Sequence, residues 1–207
     1  RVPGRAFTTG SNVTLRLDGA GSYQFFFINS NYESAATIQF ANGAAPDQVT
    51  VYASASSFGQ NNQVTRLLPG VHYIDNYTLR FAGNGTVAGE NMLLYLAGNA
   101  ELDLTGTSAF RLVGSSRPLY PGMQPGLVVF QARTNTNTLS MRGTHDSLLQ
   151  GIVYLPDGTL ELNGTPQAEL MRGQLILSRL SNRGTAGLIV TYQQYVDIEL
   201  PAVWLIE

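Results

Sequence analysis

Few residues in this chain could do chemistry. His72 and His145 are its only histidines, so a general base or metal ligand would have to be built on one of them or on carboxylates. His145-Asp146 follows the Gly143-Thr144 pair, which reads as an exposed loop. Neighbours in sequence do not form a catalytic couple, because the carboxylate that orients an imidazole must come round from elsewhere in the fold. A metal site would require the two histidines to converge with carboxylates although they lie 73 positions apart. Neither is expected to act, and no catalytic, cofactor-binding or metal-binding residue is assigned.

Paired carboxylates are the other way to break a glycosidic bond. Glu101 and Asp103 flank Leu102, so on a strand both face outward, and Glu161 stands in the column of Asp103 in its own copy of the same motif. Two positions along a strand span about 7 Å, inside the roughly 5–9 Å that an acid and its partner require. Alternating charge is also what an ordinary solvated strand face looks like, and that reading is preferred. Gly-Gly-x-Gly-x-Asp calcium loops are absent.

The composition closes other routes. With no cysteine there is neither a disulfide framework nor a thiolate metal site. All 12 basic residues are arginine. Without lysine there is no Walker-type phosphate loop, no Schiff base and no Lys–Asn isopeptide brace. A net charge of −2 gives no reason to expect a nucleic-acid or anionic-membrane partner. Charged residues make up 13%, against the roughly 25% usual for soluble domains. Gly, Asn, Ser and Thr fill the deficit, which favours short strands and tight turns. No window reaches 18 consecutive apolar residues, so no membrane-spanning helix is expected. The chain opens on Arg1 rather than Met, which leaves open whether a signal or anchor segment was removed ahead of it.

What must position any site is a repeat. The pattern Thr/Glu-Leu-x-Leu/Met/Phe-x-Gly occurs at Thr14–Gly19, Thr78–Gly83, Glu101–Gly106, Thr138–Gly143 and Thr159–Gly164, with looser copies at Thr37 and Arg179. The starts are 23, 41, 23, 37, 21 and 20 residues apart. The two long intervals, nearly double the rest, are read as coils that have lost the signature. A period of about twenty residues with alternating strands marks a solenoid. Nothing supplies the helical half of a leucine-rich repeat, and a Greek-key sandwich would leave the spacing to coincidence. The expected fold is therefore all-β: a parallel β-helix (β-solenoid) with coils of about twenty residues, residues 1–207 forming a single domain. Leu102, Leu104, Leu139, Met141, Leu160 and Leu162 point inward, and glycine turns the corner. Second strands follow at Ala109–Val113, Gly151–Leu155, Gln174–Leu177 and Gly187–Thr191.

From about Pro69 to Thr185, segments such as Pro69-Gly-Val-His-Tyr-Ile74, Met92-Leu-Leu-Tyr-Leu-Ala-Gly98, Gly126-Leu-Val-Val-Phe-Gln-Ala-Arg133 with Thr134-Asn-Thr-Asn137, and Gly151-Ile-Val-Tyr-Leu-Pro156 carry a resemblance. They are similar to the extracytoplasmic β-helical domains of bacterial TadE/TadG-like pilus-assembly and related surface proteins. That resemblance implies coil walls and an extracellular or cell-surface setting, and it brings no catalytic residues. The expected function is a non-catalytic, extracellular structural or adhesive protein, pilus-associated or self-assembling into filaments. Its partners would be further copies, other pilus or surface proteins, or a surface polysaccharide. A polysaccharide-processing β-helix is one alternative. A carbohydrate-binding one is another and would line up exposed aromatics such as Tyr52, Tyr77 or Tyr120.

Asn-x-Thr sequons stand at Asn12, Asn76, Asn84 and Asn163, but Asn84-Gly85 and Asn163-Gly164 are first of all turn dipeptides. The Thr134–Thr138 run reads as polar side chains stacked between coils. At the C-terminus, 195–207 leaves the coil pattern and is expected to cap the solenoid or to form a subunit-contact strand. Val203, Trp204, Leu205 and Ile206 would meet the apolar Phe25, Phe26 and Phe27 of a neighbour.

Overall fold

A repeat whose copies line up in space demands parallel pairing of successive copies, and the computed structural model has it. The structure describes residues 14–27, 37–53, 56–58, 64–81, 84–105, 109–142, 147–163 and 170–183. Their strand pairs are all parallel. The chain is a β-solenoid with coils of about 22 residues stacked through about 6 turns. Among the described residues the one helical element is a 3-10 turn at Pro46–Gln48, and no helix is long and apolar enough to cross a membrane.

Each full coil has three walls. The first holds the repeat motif: Thr78–Phe81, Glu101–Leu104 and Thr138–Met141, then 159–162 and 179–182 of the longer strands Leu148–Leu162 and Met171–Asn182. The second contains Val64–Arg66, the start of Thr86–Ala97, and Ala109–Gly114. The third contains Val49–Ala53, Gly70–Asp75, the end of Thr86–Ala97, Leu127–Gln131 and the middle of Leu148–Leu162. The strands expected to follow the motif thus divide between two walls: Ala109–Val113 lies on the second, Gly151–Leu155 and Gln174–Leu177 on the third. The Gly187–Thr191 segment lies outside the described residues.

The two long intervals in the repeat have different causes. Between Thr37 and Thr78 the strand Ser56–Phe58 intervenes and pairs with Thr78–Phe81, so one coil there does lack the signature. Between Glu101 and Thr138 none is hidden. Asp103 pairs directly with Ser140 and Leu104 with Met141. That interval is one coil lengthened by a loop, because residues 115–126 leave the stack between the second and third walls and return at Leu127.

Inward side chains stack in columns. On the first wall, Leu79, Leu102, Leu139 and Leu160 are 3%, 1%, 1% and 0% exposed and follow one another in register, except that Leu180, paired with Leu160, is 44% exposed. Each buried leucine contributes about 1.5–3 kcal/mol. On the third wall the inward column reads Val51, His72, Leu94, Val129, Val153, Leu175, so a histidine occupies an aliphatic position.

Glycine is needed where the second wall bends into the third. Gly151 and Gly173 pair in register, with φ of 138° and 143°. A methyl group at Gly173 would overlap the carbonyl oxygen of Gly151, and one at Gly151 that of Gly126. The left-handed backbone and the close approach of one coil to the next both exclude a side chain there.

Candidate functional site

Carboxylates on the first wall are tied up between coils. Glu101 and Asp103 face outward as expected, and the register Asp103–Ser140–Glu161 puts Asp103 and Glu161 in one column. Asp103 accepts the Arg80 Nε at 2.8 Å from the preceding coil and is also held by the Thr105 amide and hydroxyl. Glu101 accepts the Thr78 hydroxyl at 2.9 Å, and Glu161 faces Arg183 at 3.8 Å. With its amide turned to satisfy both neighbours, Asn163 continues this bracing by accepting from Arg142 and donating to the Arg183 carbonyl. The acids are rungs that bind successive coils.

His72 is also structural. Its ring is buried in the aliphatic column, and Nε2 lies 2.7 Å from the Leu68 carbonyl, which takes its proton in the neutral tautomer. Burial lowers its pKa from 6.5 to about 4, outweighing the opposite pull of that carbonyl. His145 and Asp146 lie outside the described residues. Among those described, no group of three His, Asp or Glu side chains is placed to hold a metal ion.

The polar run 134–138 closes the corner between the third and first walls. The Asn135 side chain accepts from Gln131 Nε2 and donates to the Ala100 carbonyl at 2.8 Å, while Asn137 Nδ2 donates to the Asn99 carbonyl at 2.9 Å. Two coils below, Asn76 holds the same corner: its Oδ1 accepts the Asn99 amide at 2.9 Å, and its φ is 58°. The sequon at Asn76 is thus a corner residue, and the stacking bonds run from side chain to backbone.

The outer face of the third wall carries the most distinctive surface. Tyr52, Tyr73, Tyr95, Phe130 and Tyr154 occupy one column. From Tyr73 to Tyr154 successive ring centroids are 5.4, 5.2 and 4.9 Å apart with planes within 15°, and Tyr52 joins at 6.0 Å with a tilt of 58°. Strand spacing of about 4.8 Å imposes this stacking, and each ring pair adds about 0.5–1.5 kcal/mol. In such a ladder the faces cover one another and only the edges meet solvent, so it braces the rod rather than offering a platform for a sugar ring. Of the three tyrosines named from sequence, Tyr52 is in the ladder and Tyr120 beside it. Tyr77 packs instead against the core, its hydroxyl buried without a partner and its pKa raised by that burial. The ladder was nonetheless legible: its members are 21, 22, 35 and 24 residues apart, one per coil.

The lengthened coil builds on this face. Leu119 and Met123 of its loop pack on Leu93, Leu127 and Ile152, a second hydrophobic cluster outside the solenoid core. Between loop and ladder lies an apolar cleft of about 320 Å³, lined by Tyr120, Met123, Phe130, Tyr154 and Ile176, with Gln124 and Gln174 as polar groups. Ile176 follows Tyr154 in register, is the last member of that column among the described residues, and is 47% exposed. Of the sequence-predicted contact residues, Phe25 is inward and only 8% exposed, within the core cluster. It therefore offers no surface for a neighbour to cover. Phe26 pairs in register with Tyr52 and Phe27 with Ala53. Val203, Trp204, Leu205, Ile206 and the whole of 195–207 lie outside the described residues. No family model, curated protein or solved structure matches this chain.

Proposed function

We propose that this chain is a non-catalytic structural protein of the cell surface, a stiff rod that is pilus-associated or assembles end to end. The observation that carries the reading is where two columns finish. Among the described residues the leucine column of the core ends on Leu180 and the outer column on Ile176, and these two are the exposed large hydrophobics. Both belong to Met171–Asn182, which among the described residues pairs only with Leu148–Leu162. An apolar axial face with strand-edge groups asks for another coil on top of it, and a second copy can supply one. The commitment of Glu101, Asp103 and Glu161 to inter-coil rungs also favours a brace over a polysaccharide-processing groove. Electron microscopy of the purified protein, with sedimentation velocity across a concentration series, tests the proposal. Filaments or concentration-dependent oligomers are expected. Isolated particles at every concentration, or release of reducing ends from a polysaccharide, would overturn it.

A carbohydrate-binding role keeps one specific observation in its favour. The cleft beside Tyr120 is apolar, carries two amides and has no charged side chain in its lining.

A further inference from the structure

On the second wall, Arg66 and Arg111 both pair in register with Ala88, one from each side. The column therefore reads Arg66, Ala88, Arg111, and the two arginine Cα atoms are about 10 Å apart, two strand spacings. Both side chains are exposed, and the residue between them in the column carries only a methyl group. Three other arginines meet carboxylates: Arg16 meets Asp18, Arg80 meets Asp103 and Arg183 meets Glu161. Among the described residues, no carboxylate lies within ion-pairing distance of Arg66 or Arg111. The two flank a groove of about 390 Å³ whose apolar lining includes Phe40, Leu67 and Pro69. Glu90, two residues beyond Ala88 on the same strand, also lines it.

We propose that this groove binds an acidic saccharide, with one carboxylate held between Arg66 and Arg111 and the sugar body over the apolar lining. The planar guanidinium matches a carboxylate with two parallel hydrogen bonds, and two of them on one anion fix its position as well as its charge. The C–H faces of a sugar fit the apolar part of the lining at Phe40 and Pro69, while Asn91 adds an amide that can meet its hydroxyls. Glu90 limits the charge density the groove accepts. A second anionic group beside the first would meet its carboxylate, so a uronate that presents one carboxylate to the groove is favoured over the phosphodiester chain of a nucleic acid. The chain's net charge of −2 acts in the same direction. The site does not depend on whether the rod assembles.

Calorimetric titration of the full chain decides the matter, using a short oligogalacturonate, a neutral galactan oligosaccharide of the same length, inorganic sulfate and a short DNA duplex. Saturable binding of the oligogalacturonate, weakening with salt, is expected, with none for the neutral sugar. Arg66→Ala and Arg111→Ala should each weaken it about tenfold, Arg66→Lys less, and Glu90→Gln should strengthen it. Circular dichroism and thermal melting of these surface variants should match the parent, separating loss of binding from loss of fold. The proposal fails if the oligogalacturonate does not bind, if binding survives both alanine substitutions, or if the neutral sugar, sulfate or DNA binds as well.

Discussion

The rings of Phe130 and Tyr154 stack at 4.9 Å with their planes 15° apart, although 24 residues separate them in the chain. Phe130 has a second ring neighbour, Tyr95, and touches the cluster beneath the 115–126 loop. Phe130→Ala would remove two stacked pairs and leave a gap in that cluster, at a cost of about 2–4 kcal/mol. Phe130→Tyr should stay within about 0.5 kcal/mol, since tyrosine already fills the column on either side. Urea unfolding monitored by circular dichroism measures both. A loss below about 1 kcal/mol for the alanine variant would mean that the ladder is decoration.

Gly173 and Gly122 separate two effects that both oppose a side chain. Both have positive φ, 143° and 81°, but a methyl group at Gly122 meets open space while one at Gly173 meets the Gly151 carbonyl. Gly122→Ala should therefore cost about 1 kcal/mol, backbone strain alone. Gly173→Ala adds a clash between coils and should cost about 3 kcal/mol or more. Equal losses in thermal melts would refute the argument that the bend into the third wall requires this close approach.

These features were unequally legible in the sequence. The first wall could be read from its motif because Leu-x-Leu-x-Gly makes strand period and corner visible together. The third wall announced itself less clearly: its aromatic appears once per coil, and the bulge between Leu127 and Val129 shifts Phe130 by one position relative to its glycine. Interval length alone could not tell a degenerate coil from a lengthened one. Ser56-Ser57-Phe58 and the 115–126 loop produce nearly the same gap, and only pairing of Asp103 with Ser140 distinguishes them. The Arg66–Ala88–Arg111 column keeps the coil spacing, at 22 and 23 residues, but two arginines with an alanine between them carry no motif that marks them as one column.

His72 should make stability depend on pH below neutrality. Its folded-state pKa of about 4 lies below the ordinary 6.5, so the unfolded chain binds the proton more readily. Unfolding takes up a proton between these values, and stability rises with pH across that window. The contribution is fully present above about pH 6.5, is lost as pH falls toward 4, and amounts to about 3 kcal/mol over the window. His72→Leu, which restores the aliphatic column, should flatten this dependence. Equilibrium unfolding at pH 7.5, 5.5 and 4.5 compares the two proteins; parallel profiles would remove His72 as the cause.

Leu180 tests what covers the end of the stack. It lies one coil beyond Leu160, which is 0% exposed, yet it is itself 44% exposed. If a second copy covers this face, Leu180→Arg places a charge in an interface between molecules. Sedimentation should then show dispersal to the monomer, while the melting temperature of the dilute protein stays within a few degrees of the parent. Ile176→Arg, at the end of the ladder, should act in the same direction. Should residues 184–207 of the same chain cover the face instead, the charge would strike an internal contact, lowering the melting temperature and leaving the oligomeric state untouched. Deleting 201–207 separates the outcomes again, because loss of assembly with the β-sheet spectrum intact marks a subunit contact. Loss of the spectrum marks an internal cap and ends the case for end-to-end assembly.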